Sequence, residues 1–238
     1  MTPTVEQLAA FASSPAAKYM WKGRGLAPIG YVKGMALAYA NIYADMKAGN
    51  EFAVFMARAN THDANIDALS WYAGIFSDGH MDNSKDGADT LRHMWVLLWG
   101  LGMRESSGLY CCGRDRSASN TTADTAETGL FQQSWNSHIA SSLMLKMFVE
   151  WRDSGMRATF AEGVSCSAAD WENYGSGSGF EFQRRCKMDP FFAVQFAAVG
   201  LRCVRRHWGP IDTREAEVRP EVDTLLEEVQ SIVDTEQR

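Results

Sequence analysis

The sequence predicts a mainly α fold, on three observations. An apolar run, Leu91 to Leu101, is long enough for a buried helix. Other segments repeat apolar residues at helical spacing, whereas no string of alternating β-branched residues suggests a sheet. Hydrophobic residues make up 46% of the chain and charged residues 22%, the balance of a globular protein able to bury a sizeable core. With 238 residues the chain can form one large domain or a core domain with an added helical part. The division expected is an N-terminal helical region over 1–85, packed on the core, and a main domain over 86–238.

The first element expected is an amphipathic helix from Thr4 to Tyr19, with Thr4 as its cap and Pro15 as a break. The Gly/Pro-rich Trp21 to Tyr31 reads as a connector. Gly30 to Ala48 reads as a helix with Met35, Ala38, Tyr39, Ile42 and Met46 on one side. Phe52 to Ala59 and Ile66 to Phe76 continue the helical pattern. Between Asp78 and Asp89, the residues Asp82, Ser84, Asp86 and Gly87 match four positions of a calcium loop, but His93 stands where that loop needs a bidentate Glu. An Asx-rich turn is therefore expected there, with no metal.

The run from Leu91 should end near Glu105. Beyond it, Ile139 to Trp151 is expected as a helix with Leu143, Met147 and Phe148 inward, and Gly163 to Gly179 as an irregular loop. Pro190 to Arg206 has Pro at a helix start and an apolar body, so it should pack centrally. The last helix, about Glu215 to Val233, carries a seam of Val218, Val222, Leu225, Leu226, Val229 and Ile232 that should pack on its own domain.

Glu105 is where the chemistry is expected. At the end of an apolar helix, near Trp95, Trp99, Leu101 and Met103, a carboxylate loses hydration and its pKa should rise. A carboxylic acid that keeps its proton near neutral pH is what general acid catalysis requires. Gly100, Gly102 and Gly108, lacking side chains, are expected to let a bulky polymer come close. A helix-end carboxylate standing in water is the ordinary alternative.

Glu105-Ser106-Ser107-Gly108, a polar loop, and Gly129-Leu130-Phe131-Gln132 together resemble the lysozyme-like superfamily, especially goose-type lysozymes and lytic transglycosylases. Those families carry E-S-x-x-G at a helix end and G-L-M-Q opening the next element. The resemblance covers about 35 of the 238 residues, and the loop is several residues longer here. It implies a lysozyme-like catalytic domain over 86–238 that cleaves the β-1,4 bond between N-acetylmuramic acid and N-acetylglucosamine in peptidoglycan glycan strands. Glu105 would protonate the leaving oxygen. Asp124, five residues before Gly129, would be the second carboxylate that a hydrolase needs, with Asp115 and Glu127 in reserve. Goose-type enzymes also place an Asp about where Ser134 stands here. Lytic transglycosylases do without a second carboxylate, because the sugar's own 6-hydroxyl attacks. By the same resemblance Ser106 and Gln132 would shape the cleft floor, and Tyr174, in Asn173-Tyr174-Gly175, would contact sugar. For Ser106 and Gln132, capping of the backbone at the turn is the other reading. Two rival classes are a non-catalytic lysozyme-like component of a phage particle or secretion apparatus, and a chitinase-like enzyme.

The remaining signals are mostly exclusions. A formal charge of −6 argues against a nucleic-acid partner. Two basic clusters, Arg184, Arg185 and Lys187 and then Arg202, Arg205 and Arg206, are expected as solvated faces or as partners for Glu215 and Glu217. No run approaches the roughly 20 apolar residues of a membrane span. The N-terminus has acidic and polar residues where a signal peptide needs basic and apolar ones, so action on a cell wall would require non-classical export, phage-type release or lysis. Five cysteines define no disulfide framework. All five lie in the C-terminal 60% of the chain, where an exported protein could form two bridges; Cys111-Cys112 lacks metal or redox spacing and is expected as buried thiols or one disulfide partner. With no zinc spacing, phosphate loop or G-x-S-x-G elbow, neither cofactor nor nucleophilic hydrolase is expected.

Overall fold

The computed structural model describes residues 3–116 and 122–236 and is mainly helical. At the N-terminus the expected single helix is two. Thr4 and Gln7 form a reciprocal capping box on α1 (Val5–Phe11), and Ser14 caps α2 (Pro15–Lys18). Pro15 thus starts a helix instead of breaking one, because its missing N–H costs nothing at the first position. The Gly/Pro-rich connector forms a small antiparallel hairpin, β1 (Met20–Trp21) and β2 (Gly25–Leu26), with Arg24 in its turn.

The long α3 (Ile29–Lys47) is buried along most of its length, Tyr31, Met35, Ala38, Tyr39 and Ile42 completely. Short helices follow: α4 (Glu51–Met56), α5 (Ala68–Trp71) and α6 (Ala73–Asp78). In the loop after them Asp82 accepts from the backbone and hydroxyl of Ser84, an Asx turn, and Asp86 Oδ1 accepts from Ala59 N at 2.7 Å.

Helix α7 (Ala88–Ser106) contains the predicted apolar run, buried without interruption from Thr90 to Met103. It stops where Ser107 turns left-handed at φ 56°, with Gly108 N returning to Gly102 O. The glycines do something other than expected. A Cβ on Gly100 would stand 2.1 Å from Glu217 O, one on Gly102 2.5 Å from the Tyr31 hydroxyl, and one on Gly108 2.9 Å from Tyr31 and Pro28. They admit the protein's own chain, not a ligand.

The C-terminal half adds α8 (Ser142–Val149), α9 (Arg157–Phe160), α10 (Gly177–Met188), α11 (Pro190–Cys203), α12 (Gly209–Asp212) and α13 (Pro220–Glu236). Asp189 caps α11, whose apolar body is central as predicted. Helix α13 packs Val222, Leu225, Leu226, Val229 and Val233 against α3 and α7. Residues on both sides of position 85 belong to one continuous core.

Of the second basic cluster only Arg206 is exposed. Arg202, 4% exposed, pairs with the fully buried Asp67 through Nε at 2.9 Å, and Arg205 pairs with Asp212. Lys187 is buried too, whereas Arg184 and Arg185 pair with Glu181 on their own helix. Glu215 instead meets Arg104, and Glu217 accepts from Tyr19 and from Lys22 N. Among the described residues no helix is long and apolar enough to cross a membrane.

Candidate active site

The two sequence blocks meet in space. Ser106, in the last turn of α7, places its hydroxyl 2.8 Å from Leu130 O and 3.0 Å from Gly102 O, stitching the helix end to the Gly129–Gln132 turn. That turn is closed by a bridge between Thr128 and Gln133 and is pinned by Leu130 and Phe131, both fully buried. Ser106 is itself buried and is not among the residues that line the cavity; its hydroxyl positions the backbone. Gln132, at φ 44°, donates from Nε2 to Gly113 O and Gly129 O, and its side chain lines the cavity.

The cavity beside Glu105 holds about 620 Å3. Glu105 comes from the end of α7, Arg24 from the hairpin, Arg114 and Asp115 from the loop after α7, Glu127 from just before the second block and Gln132 from its end, and Asp170 from the loop before α10. Two contacts hold the last wall. The disulfide Cys111–Cys166, with Cα atoms 6.2 Å apart, ties that loop to the one after α7. Lys187 Nζ donates to the carbonyls of Asp170 and Glu172 at 3.0 and 2.6 Å. Burial draws the Lys187 ammonium down to about 8.

Glu105 is half-buried, and no hydrogen bond or ion pair to a described residue engages its carboxyl group. Burial first, and then the negative charge of Glu127, push its pKa up to about 8, while Arg24 and Arg104 oppose the rise. The lining is more polar than the sequence suggests: Trp95 and Trp99 are sealed in the core and do not reach the cavity. Asp170, although burial works against its charge, is held below the usual carboxylate range by hydrogen bonds from Ser167 and Gly113. One side of the cavity therefore keeps a proton and another keeps a charge.

Asp124 stands apart from this group. It is exposed and lines a second cavity of about 370 Å3 with Thr122, Ala123, Tyr174, Gly175 and Ser176. Glu127, next to the Thr128–Gln133 bridge, shares the Glu105 cavity, and Asp124 does not line it. Asp115 lines it as well. Tyr174 is covered on one face by the Arg114 guanidinium, 4.2 Å from the ring centroid, and its backbone is held by the Gln183 side chain. That face is closed to a sugar. Ser134 is buried and hydrogen-bonded to Asn136, and its N–H meets His207, whose imidazole burial keeps neutral with a pKa drawn down to about 4.

Sequence reasoning missed Arg24, Arg114 and Asp170. Arg24 carried a usable signal, a lone basic residue between two glycines in Gly23-Arg24-Gly25, which is how a tight turn presents a side chain. Asp170 carried none, because its place depends on a disulfide that closes 55 residues of chain. No family model matches the chain, and neither a curated protein nor a solved structure matches it.

Proposed function

We propose that the protein is a peptidoglycan-degrading glycosidase, a muramidase cleaving the β-1,4 bond between N-acetylmuramic acid and N-acetylglucosamine. The observation that carries the reading is Glu105, a half-buried carboxylic acid with a pKa near 8 on an open cavity, beside a second carboxylate. At neutral pH most Glu105 side chains hold a proton, which is delivered to the glycosidic oxygen as the bond to the leaving sugar breaks. Glu127 replaces Asp124 as the second carboxylate, since it lines the same cavity and its charge is felt at Glu105. It stabilises the positive charge developing on the sugar or takes a proton from the attacking water.

The lysozyme-like resemblance of the two motif blocks names the substrate, and the Ser106–Leu130 contact supports treating them as one unit. The Cys111–Cys166 bridge is in keeping with work in an oxidising compartment, where the wall is found. Attack by the sugar's 6-hydroxyl in place of water would make the same site a lytic transglycosylase.

Replacing Glu105 by Gln keeps the shape and removes the proton donor. Digestion of purified sacculi should fall by about 10²- to 10⁴-fold. An undiminished rate would refute the proposed acid. Mass spectrometry of the products from the unaltered protein separates reducing ends, expected for hydrolysis, from 1,6-anhydro ends.

A further inference from the structure

We infer that Arg114 is a specificity-determining residue that binds a carboxylate carried by the glycan strand next to the cleaved bond, an inference that rests on the glycosidase reading above. Muramic acid differs from N-acetylglucosamine in its lactyl ether, which ends in a carboxylate or in a peptide bearing carboxylates. A chain of formal charge −6 offers such an anionic polymer no general attraction, so recognition has to be local.

Three arginines line the cavity, and they differ in what already occupies them. Arg116 is 60% exposed and closely paired with Glu172. Arg24 sits on the exposed hairpin turn and acts on Glu105. Arg114 is 18% exposed, and its nearest carboxylate is that same Glu172, at 3.9 Å. Its Nε is buried and finds no hydrogen-bond partner among the described residues. The Asp170 carboxylate on the same cavity keeps its charge, but its Oδ2 accepts from Ser167 and no ion pair joins it to Arg114 among the described residues.

The guanidinium is also held in place before anything binds. It sits over the Tyr174 ring, 4.2 Å from its centroid, and Gln183, 1% exposed, grips the Tyr174 backbone from both sides. A planar donor fixed in this way loses little freedom when it takes a carboxylate, and its fork matches two carboxylate oxygens. This gives the Arg114–Tyr174 stack a role different from sugar contact by the tyrosine.

The test uses three glycan chains with the same linkages: intact chains with stem peptides, chains stripped to the free lactyl carboxylate, and stripped chains whose carboxylates are capped as neutral amides. Arg114→Gln should weaken the carboxylate-bearing chains by about 10- to 100-fold, as expected for loss of a charged hydrogen-bond pair, and chiefly in KM. The amide-capped chain should be cut as before. Arg114→Lys should recover part of the loss, since it keeps the charge without the fork. Loss on the intact chain alone would assign the peptide carboxylates, and loss on the stripped chain the lactyl group. Equal loss on all three chains, or on none, would overturn the inference. Calorimetric binding to Glu105→Gln, with and without Arg114→Gln, reads the same preference without turnover. An Arg114-dependent preference, found while the unaltered protein cuts none of the chains, would sink the glycosidase reading alone, and no binding to any chain would sink this inference too.

Discussion

Asp67 and Glu105 are both carboxylates drawn out of water, but the chain supplies partners to only one of them. Asp67 is fully buried and accepts from Arg202, from the backbone of Thr61 and Leu69, and from the Ser70 hydroxyl. Its charge is used up inside the fold, tying the segment before α5 to α11. Glu105 is less buried, faces a cavity, and has a like charge, Glu127, as its strongest electrostatic neighbour. Burial with partners makes a structural tie. Burial without them makes an acid that keeps its proton.

The largest effect expected from breaking this contrast is at the structural end. Asp67→Ala strands a buried guanidinium and should cost about 3–5 kcal/mol. Thermal unfolding should show this as a fall in Tm of roughly 10 °C, and a fall of a degree or two would mean that the pair matters little. Next comes the wall of the cavity. Cys166→Ser opens the 55-residue loop closed by the bridge to Cys111 and should cost about 2–4 kcal/mol, read in the same melting experiment with the oxidised protein as reference.

Glu105→Gln should act with the opposite sign. Because the folded state raises this pKa from 4.5 to about 8, the native protein binds more protons than the unfolded chain between those values, and stability falls as pH rises through that window. At about 1.4 kcal/mol per unit, halved for screening at the open side, the deficit above pH 8 is on the order of 2 kcal/mol. The variant should therefore melt higher than the unaltered protein at pH 9 and about level with it near pH 4. A variant that melts lower at pH 9 would indicate that the carboxylate was stabilising. The smallest shift belongs to the pH profile of the activity that Glu127→Gln retains once the second carboxylate is gone. Removing the neighbouring charge should move the alkaline limb of the kcat/KM profile to lower pH by less than about one unit. A move upward would contradict the placement of Glu127.

How much of this was legible in the sequence depends on whether the cause is local. Helices α7, α11 and α13 could be read from apolar periodicity, and Glu105 from its position at the end of the first of these. Arg202 could not, since helical spacing shows a basic stripe but not the Asp67 that waits some 135 residues away in the chain. The glycines of α7 were legible as small and illegible as to what would fill their space, namely Glu217 and Tyr31. Asp124 fitted an offset counted along the chain. In space it is Glu127, beside the Thr128–Gln133 bridge, that lines the cavity instead.

The most direct measurement is the titration of Glu105 itself, followed by the carbon-13 shift of its side-chain carboxyl group and assigned by loss of the signal in Glu105→Gln. A midpoint about 8 is predicted. A midpoint near the ordinary 4.5 would mean that the group is ionised at neutral pH and cannot be the proton donor on which the account depends.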